Sequence, residues 1–219
     1  MANAEKAHWI IQAFHDGGTA MIGIAFVGVL TIILIVERFF SLRNLTVDKI
    51  DFNQNLFGMV VRGDIRQAIT YCDSKATPLT NTLKAGLVQA LNRRPDEEVQ
   101  VAMDSVVLRE TPRLEGWTGF LAVFGNIATL IGLLGTIIGL ITSFRAVGEN
   151  PDPATKAQLL SKGISEALNC TAFGLIVAIL AILFYGYFQV RVSRAINDLV
   201  ESSMSLMNIV VANRDKMKD

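Results

Sequence analysis

The fold of this chain is decided by the stretch ALNCTAFGLIVAILAILFYGYFQV, residues 167–190, a run of 24 residues without a charge. Two further runs carry no charge: Gly17–Val36, with 20 residues, and Gly116–Phe144, with 29. A helix needs about 20 apolar residues to cross ~30 Å of hydrocarbon, and all three runs meet that length. Apolar residues make up 51% of the chain, and the mean hydropathy is +0.41. The sequence therefore predicts a polytopic membrane protein with three transmembrane helices.

The positions of lysine and arginine predict the orientation. Residues 1–16 hold only Lys6, whereas eleven basic residues lie between Glu37 and the second run. The positive-inside rule then places the middle segment and the tail in the cytoplasm, and the N-terminus outside. The first run follows a single basic residue and no cleavage site succeeds it, so we expect a retained helix and not a signal peptide.

These patterns divide the chain into seven segments. The order is a periplasmic amphipathic helix (1–16), transmembrane helix 1 (17–36), a cytoplasmic helical domain (37–115), transmembrane helix 2 (116–144), a periplasmic link (145–162), transmembrane helix 3 (163–190) and a cytoplasmic helical tail (191–219). The amphipathic assignment rests on apolar residues at helical spacing within residues 4–14, for which a frayed terminus is the alternative.

The segments outside the membrane are predicted to be helical, which makes the fold all-α. Ile65, Ala68 and Cys72 recur at helical spacing, and no segment alternates as a strand does. Thr77-Pro78 and Arg94-Pro95 are expected at helix starts. The helix that begins near Pro95 is expected to continue into the second span with a bend near Pro112. Such long helices are not covered within one copy of the chain, so we expect a symmetric homo-oligomer.

Hydroxyl and glycine residues recur along the second span. Thr129, Thr136 and Ser143 are seven residues apart, which places them near one helix face. The glycines lie on or beside that side; they are Gly132, Gly135 and Gly139. One interpretation is close helix packing, since small residues let backbones approach. The other is a hydroxyl-lined pore, and both interpretations stay open.

The third span carries one carboxyl group at its mouth. Glu166, Asn169 and Gly174 share a helix face, whereas Thr171 lies about 140° around the helix from Glu166. An ionisable group at the edge of a span is costly to keep and is a functional candidate. The alternative is that Glu166 reaches water and pairs with Lys162 or Arg145, and that Asn169 joins helices.

Several classes of function lack support in the sequence. No nucleophile has a paired histidine, and His8 and His15 have no neighbours at metal-ligand spacing. The two cysteines do not form a disulfide framework, and Cys170 is expected to be a packing residue. Net charge is zero, which leaves no basic footprint for nucleic acid. We therefore expect no enzyme activity, no metal and no cofactor.

Two motifs resemble those of a known family. GISEALNCTAFGLIVAI, residues 163–179, and IGLLGTIIG, residues 131–139, are similar to the two signatures of the ExbB/TolQ/MotA proton-channel family. The predicted topology with three spans resembles the ExbB/TolQ branch. One departure is Leu180, which stands where family members commonly have proline, and it suggests a straighter third helix.

The resemblance implies a function and partners. It implies a homopentamer whose second and third spans line a pore in the bacterial inner (cytoplasmic) membrane. It also implies an ExbD/TolR/MotB-like single-span partner with a membrane aspartate, next to which Thr136 and Thr171 would lie, with Glu166 near the periplasmic end. The expected function is that of a proton-conducting stator subunit, with sodium less favoured. A structural scaffold and a passive channel are the alternatives, and the powered process stays open among import, envelope maintenance and gliding.

Overall fold

The computed structural model describes residues 18–46, 49–149 and 152–214, and this part of the chain is helical without a strand. The all-α prediction is therefore confirmed. In chain order the helices are α1 (Gly18–Leu45), α2 (Lys49–Val61), α3 (Ile65–Asp73), α4 (Pro78–Leu91), α5 (Asp96–Glu115), α6 (Thr118–Glu149) and α7 (Pro153–Ala212). The amphipathic helix predicted within residues 4–14 lies outside the described residues.

Three helical stretches are long and apolar enough to cross a membrane, and they contain α1, α6 and α7. Helix α6 continues past Phe144 to Glu149, and α7 begins at Pro153, so most of the expected link is helical. Asp152 caps α7: its Oδ2 accepts a hydrogen bond from the Thr155 amide at 2.9 Å. Hydrogen bonds from Thr155 lower the pKa of this carboxyl. Helix α7 passes through Leu180 without a break, as a chain without proline there allows.

The helix interruption before the second span lies at Gly116 and not at Pro112, where the sequence suggested a bend. Helix α5 runs through Pro112 to Glu115, and the Gly116 amide donates to the Pro112 carbonyl at 2.9 Å. Gly116 has φ 44° and ψ −131°, in the left-handed half of φ that favours glycine. Arg38, which is only 3% exposed, places its guanidinium against Gly116. Its Nη1 donates to the Glu115 carbonyl at 3.4 Å, which satisfies a terminal carbonyl of α5.

The chain divides into two compact units, which are described separately. The apolar unit comprises residues 1–37 and 117–187, and the charged unit comprises residues 38–116 and 188–219. The core of the charged unit is built on α4 and α5, where Leu83, Leu87 and Met103 are fully buried. The predicted helix starts at Thr77-Pro78 and Pro95 are confirmed, and Thr77 forms a capping box with Thr80.

Polar contacts join α2 to the C-terminal part of α7 within the charged unit. Asn53 Nδ2 donates to Ser202 Oγ at 2.8 Å in a buried position. Lys49 Nζ contacts Asp198 at 3.0 Å and Glu201 at 2.5 Å. The hydrogen bond to Glu201 is the main cause that raises the pKa of Lys49. These contacts fix the register of α2 on α7, because sliding either helix by one residue would separate them.

The charged unit also buries a carboxylate and a thiol. Glu110 is 2% exposed, and its oxygens accept hydrogen bonds from Asn81 Nδ2 at 3.0 Å and Arg113 Nη1 at 2.8 Å. This pairing offsets the cost of removing the carboxylate from water. Burial raises the pKa of the Cys72 thiol to about 12. Cys72 and Cys170 are both free, which agrees with the expectation that they form no disulfide.

Candidate functional site

Helices α6 and α7 approach each other along a seam of small residues in the apolar unit. A Cβ added to Gly132 would lie 3.2 Å from the Cys170 carbonyl oxygen and 3.3 Å from the Thr171 Cα. A Cβ added to Gly174 would lie 2.7 Å from the Ala128 carbonyl oxygen. Both distances involve backbone atoms that cannot swing aside. Position 174 therefore requires glycine, whereas a Cβ at position 132 would need the helices to shift slightly.

The seam continues along the same side of α6 toward the C-terminal end of that helix. A Cβ on Gly135 would lie 2.9 Å from the Cys170 Cβ, and one on Gly139 would lie 3.2 Å from the Ala167 Cβ. Ser143 Oγ fills the space beside Gly163. The packing interpretation therefore accounts for the three glycines named from the sequence, and Cys170 is a packing residue as expected. A pore role for them stays a prediction.

Small residues on α7 complete this seam and were not all recognised from the sequence. They recur at spacings of three or four residues: Gly163, Ala167, Cys170, Gly174, Ala178 and Ala181. All are buried. This spacing was visible in the sequence, but alanine is common on every helix face, so the signal did not stand out against the glycine motif of the second span.

The two threonines implied by the family resemblance lie near each other across the seam. Thr171 Oγ1 donates to the Gly132 carbonyl oxygen at 3.2 Å, which links α7 to α6. Thr136 lies one helical turn beyond Gly132, a rise of about 6 Å, so the two threonines are separated by about one turn along the seam. Thr136 Oγ1 donates to the Leu133 carbonyl at 2.6 Å. Both side chains are half-buried.

The hydrogen bonds of these threonines determine what each hydroxyl can offer. Each O–H group donates to a backbone carbonyl, while each oxygen retains lone pairs that accept. The pair is thus set to accept a hydrogen bond from a protonated carboxylic acid. Donation to a carboxylate would require the hydroxyl to rotate away from its carbonyl.

The two other hydroxyl residues that the sequence spacing grouped with Thr136 differ in their surroundings. Thr129 is exposed and bonds its own helix at Gly125 O, 3.1 Å away. Ser143 is 6% exposed and donates to Gly139 O at 2.6 Å, inside the seam. Spacing by seven therefore does not give these hydroxyls one environment: Ser143 packs against α7, whereas Thr129 and Thr136 lie toward the open side.

Glu166 lies on a different side of α7 from Thr171. It precedes Phe173 by seven residues and so shares its helix face, which packs with Met21 and Ile24 of α1. Thr171 and Phe173 are two residues apart, so Thr171 points roughly the opposite way. Thr171 therefore contacts α6 about one helical turn from Thr136, whereas Glu166 lies on another side of α7.

Polar partners of Glu166 and Asn169 are missing from the described part of the chain. Both side chains are half-buried, and Lys162 and Arg145 are exposed. Among the described residues, Glu166 forms no ion pair with either cation, and Asn169 forms no side-chain hydrogen bond. No cluster of three His, Cys, Asp or Glu that could hold a metal occurs in the described ranges. His8 and His15 lie outside them.

Comparisons with known proteins identify similar chains. The sequence profile of the MotA/TolQ/ExbB proton channel family matches residues 74–201, more than half of the chain. An ExbB homologue of Methanothermobacter thermautotrophicus is 29% identical over 194 residues, covering 87% of this chain and 66% of that protein. TolQ of Pseudomonas aeruginosa is 40% identical over 95 residues, covering 43% of this chain and 40% of that protein.

A solved structure shares the fold. The C. jejuni MotAB structure matches with a TM-score of 0.61 and 18% sequence identity, over 94% of this chain and 80% of that chain. At this identity the likeness concerns the fold alone. The chain spans 40 to 66% of the length of the two curated relatives described above.

Proposed function

Since this chain belongs to the MotA/TolQ/ExbB proton channel family, we propose that it is the proton-conducting stator subunit of a motor driven by ion-motive force. The observation that carries this proposal is the hydrogen bond from Thr171 to the Gly132 carbonyl, about one helical turn from the Thr136 hydroxyl on α6. Both threonines lie on apolar helices. There a hydroxyl can form a hydrogen bond with a proton carrier, whereas lipid chains offer it no polar partner.

The proton carrier in this proposal is supplied by a second protein. Threonine hydroxyls do not ionise near neutral pH, and Glu166 lies on another side of α7. A carboxyl must therefore come from outside α6 and α7. We propose an ExbD/TolR/MotB-like single-span partner, whose membrane aspartate reaches the two threonines. The name of the structural neighbour, MotAB, and the ExbB and TolQ names of the relatives support a partnered assembly.

The proposed mechanism uses the charge of that aspartate as the switch. A charged carboxylate in the bilayer costs several kcal/mol more than the neutral acid, so protonation changes which position the partner helix prefers. The neutral acid can donate to Thr136 or Thr171 while both keep their backbone bonds. After proton release, the carboxylate needs a donor, and a threonine must rotate to supply it.

The proposed assembly is a homopentamer around a partner dimer in the bacterial inner membrane. The distribution of basic residues supports a periplasmic N-terminus and a cytoplasmic C-terminus. The cytoplasmic part then comprises residues 37–115 and 191–219, and the link at 145–162 is periplasmic. The spans in this proposal are 17–36, 116–144 and 163–190. Import, envelope maintenance and gliding are the candidate processes that such a motor would power.

A non-conducting scaffold is the second candidate, and a specific observation favours it. The seam explains Gly132, Gly135, Gly139 and Gly174 by packing, and Thr129 bonds its own helix as membrane threonines commonly do. A passive channel is the third candidate. It would conduct without a partner, which the proposed stator does not.

Proton uptake into liposomes under an imposed potential tests the proposal. Four forms are compared with and without the partner: wild type, Thr136→Val, Thr171→Val and Thr142→Val. Thr142 is a matched control, because its hydroxyl bonds its own helix at Ile138 O and Gly139 O. We expect flux that needs the partner, is lost in the first two variants and persists in the third. Flux that is absent in wild type favours the scaffold, and flux without the partner favours the passive channel.

A further inference from the structure

The series of small residues on α7 ends at a large polar residue. Tyr185 follows Ala181 by four positions and so continues the series, whose members are three or four residues apart. It is half-buried, and its hydroxyl forms no hydrogen bond with any residue that the structure describes. In the orientation of the proposed function, this is the cytoplasmic end of the seam. The close packing of small residues therefore stops beside a hydroxyl that can both donate and accept.

Thr118, the first residue of α6, has a buried hydroxyl. The residue is 2% exposed, and within the described ranges its Oγ1 has no hydrogen-bond partner. A buried hydroxyl without a partner is costly, and buried polar groups that find no partner in the protein are commonly satisfied by an ordered water. The burial of Thr118 therefore indicates a water molecule at this hydroxyl.

The packing of α6 on α7 places Thr118 and Tyr185 at a similar level. A Cβ on Gly125 would lie 3.3 Å from the Ala178 carbonyl oxygen and 3.4 Å from the Ala181 Cβ. The two helices run in opposite directions, so Thr118, seven residues before Gly125, and Tyr185, four residues after Ala181, lie on the same side of this contact. The corresponding rises are about 10 Å and about 6 Å, which differ by less than one helical turn.

Thr118 also lies on the side of α6 that carries the hydroxyls of the candidate site. It precedes Thr136 by 18 residues, which is five full turns of an α-helix. Between them, Thr129 and Asn126 are exposed neighbours on the helix surface, three residues apart. The Asn126 amide forms no hydrogen bond within the part of the chain that the structure describes. Polar groups of α6 thus continue from Thr136 to the start of the helix.

We propose that Thr118 and Tyr185 hold water at the cytoplasmic end of the seam, and that this exit niche receives the proton after the partner's carboxyl releases it. The inference rests on the proposed stator function and adds the place at which the proton leaves the membrane. The proton passes from the carboxylic acid to water, which leaves a carboxylate on the partner and a hydronium ion that gives its proton to the cytoplasm. Neither protein hydroxyl needs to lose its own proton, because each can accept from one neighbour and donate to another.

Two substitutions that remove only a hydroxyl test the exit niche. Thr118→Val and Tyr185→Phe are made singly and together, and proton uptake in the presence of the partner is compared with that of wild type. Tyr187→Phe on the same helix is the matched control, since Tyr187 is 45% exposed and does not continue the series of small residues. We expect each niche variant to lower uptake about fivefold, as for the loss of one hydrogen bond. The double variant should lower it no further, because both hydroxyls hold the same water.

The thermal midpoint in detergent reports on the exit niche without any proton flux. If Thr118 binds water, valine removes a hydrogen bond, and the midpoint of Thr118→Val should fall. If the hydroxyl is buried dry, valine removes an unpaired polar group, which is neutral or stabilising. An equal or higher midpoint would therefore overturn the proposal.

The two measurements together separate this inference from the proposed function. Partner-dependent uptake that is unchanged in both niche variants would overturn the exit niche and leave the stator function standing. Equal loss of uptake in Tyr187→Phe, or losses that multiply in the double variant, would also overturn the shared water. No uptake in wild type, together with a lower midpoint for Thr118→Val, would overturn the stator function while the bound water remains.

Discussion

The Thr171 hydroxyl donates to the Gly132 carbonyl oxygen at 3.2 Å, where α6 and α7 approach closely. Close approach makes the bond possible, because neither helix places a side chain between the two groups at Gly132. The glycine motif and the threonine are therefore one arrangement: the first brings the backbones together, and the second uses a carbonyl exposed by that approach. Packing and proton transfer can thus depend on the same residues.

Replacing Thr171 by serine or by valine distinguishes the contribution of its hydroxyl from that of its methyl group. We expect Thr171→Ser to retain most proton uptake and Thr171→Val to lose it, since only serine keeps the Oγ that bonds Gly132. The thermal midpoint should change little in either variant, because hydrogen bonds between membrane helices average about 0.6 kcal/mol. Uptake and thermal midpoint are measured on the same preparation. Equal loss in both variants would mean that the methyl group matters instead of the hydroxyl.

Alanine at Gly174 should destabilise the apolar unit. The added Cβ would lie 2.7 Å from the Ala128 carbonyl oxygen, so the helices must move apart. Overpacking of this kind costs about 1–3 kcal/mol. Gly186→Ala on the same helix is the control, because no atom lies within 4 Å of its Cβ position. Thermal unfolding in detergent should lower the midpoint for the first variant and leave the second unchanged or higher; equal midpoints would contradict the seam.

Replacing Gly116 by alanine should lower the free energy of unfolding more than the same replacement of a glycine inside a helix. A Cβ there would overlap Arg38 Nη1, and φ 44° is itself unfavourable for alanine. We expect a loss of at least about 2 kcal/mol in the free energy of unfolding. Gly58→Ala is the control, since its Cβ position on α2 is open, and it should gain about 0.5–1 kcal/mol from helix propensity. Denaturant unfolding followed by circular dichroism compares the two.

The Lys49 contacts should contribute stability that depends on pH. The pKa of Lys49 is raised above its usual value of 10.5, chiefly by the hydrogen bond to Glu201. The protonated form is therefore favoured in the folded state, and the stabilisation is complete below pH 10.5 and disappears as pH rises through the folded pKa. Lys49→Met should lower stability by less than about 1 kcal/mol at pH 8, because both carboxylates are partly exposed. This difference from wild type should disappear as the pH rises through the folded pKa of Lys49; a constant difference would contradict the assignment.

The Cys72 thiol should be unreactive in the folded protein. Burial raises its pKa to about 12, so hardly any thiolate is present at pH 8. We expect slow labelling by a thiol reagent at pH 8 in the native state and rapid labelling in denaturant. Ser74→Cys, exposed two residues away, is the comparison and should label quickly in the native state. Rapid native labelling of Cys72 would show that α3 opens readily.

Much of the architecture followed from short-range signals. Absence of charge over 20 or more residues predicted the spans, and Thr77-Pro78 and Pro95 predicted helix starts, because each signal acts within one helix turn or one helix length. Gly116 was harder to interpret. The sequence contains a proline nearby, and Pro112 was expected to bend the helix, but the residue that ends α5 is determined by a contact with Arg38, 78 positions earlier.

The candidate site was predictable only where the signal lies within one helix. Spacing by seven predicts one side of α6 for Thr129, Thr136 and Ser143, but it could not show that Ser143 meets Gly163 inside the seam while Thr129 is exposed. Helix geometry predicts a separation of about 140° between Glu166 and Thr171. The packing of Phe173, which shares the face of Glu166, against α1 agrees with this prediction. The burial of Glu110 and Arg38 could not be predicted locally, because Asn81, which contacts Glu110, lies on α4, and the carbonyl that Arg38 contacts depends on where α5 ends.

At the glycines of the α6–α7 seam, a mutation can only increase the volume of the side chain. Glycine has no smaller replacement, so every coding change at Gly132 or Gly174 adds atoms between the helices and acts as a wedge, never as a cavity. Compensation must then come from the facing helix by removal of atoms. A second-site suppressor of a wedge at Gly125 should therefore be found as Ala181→Gly, which removes the Cβ facing that position and restores the separation without restoring the original residue.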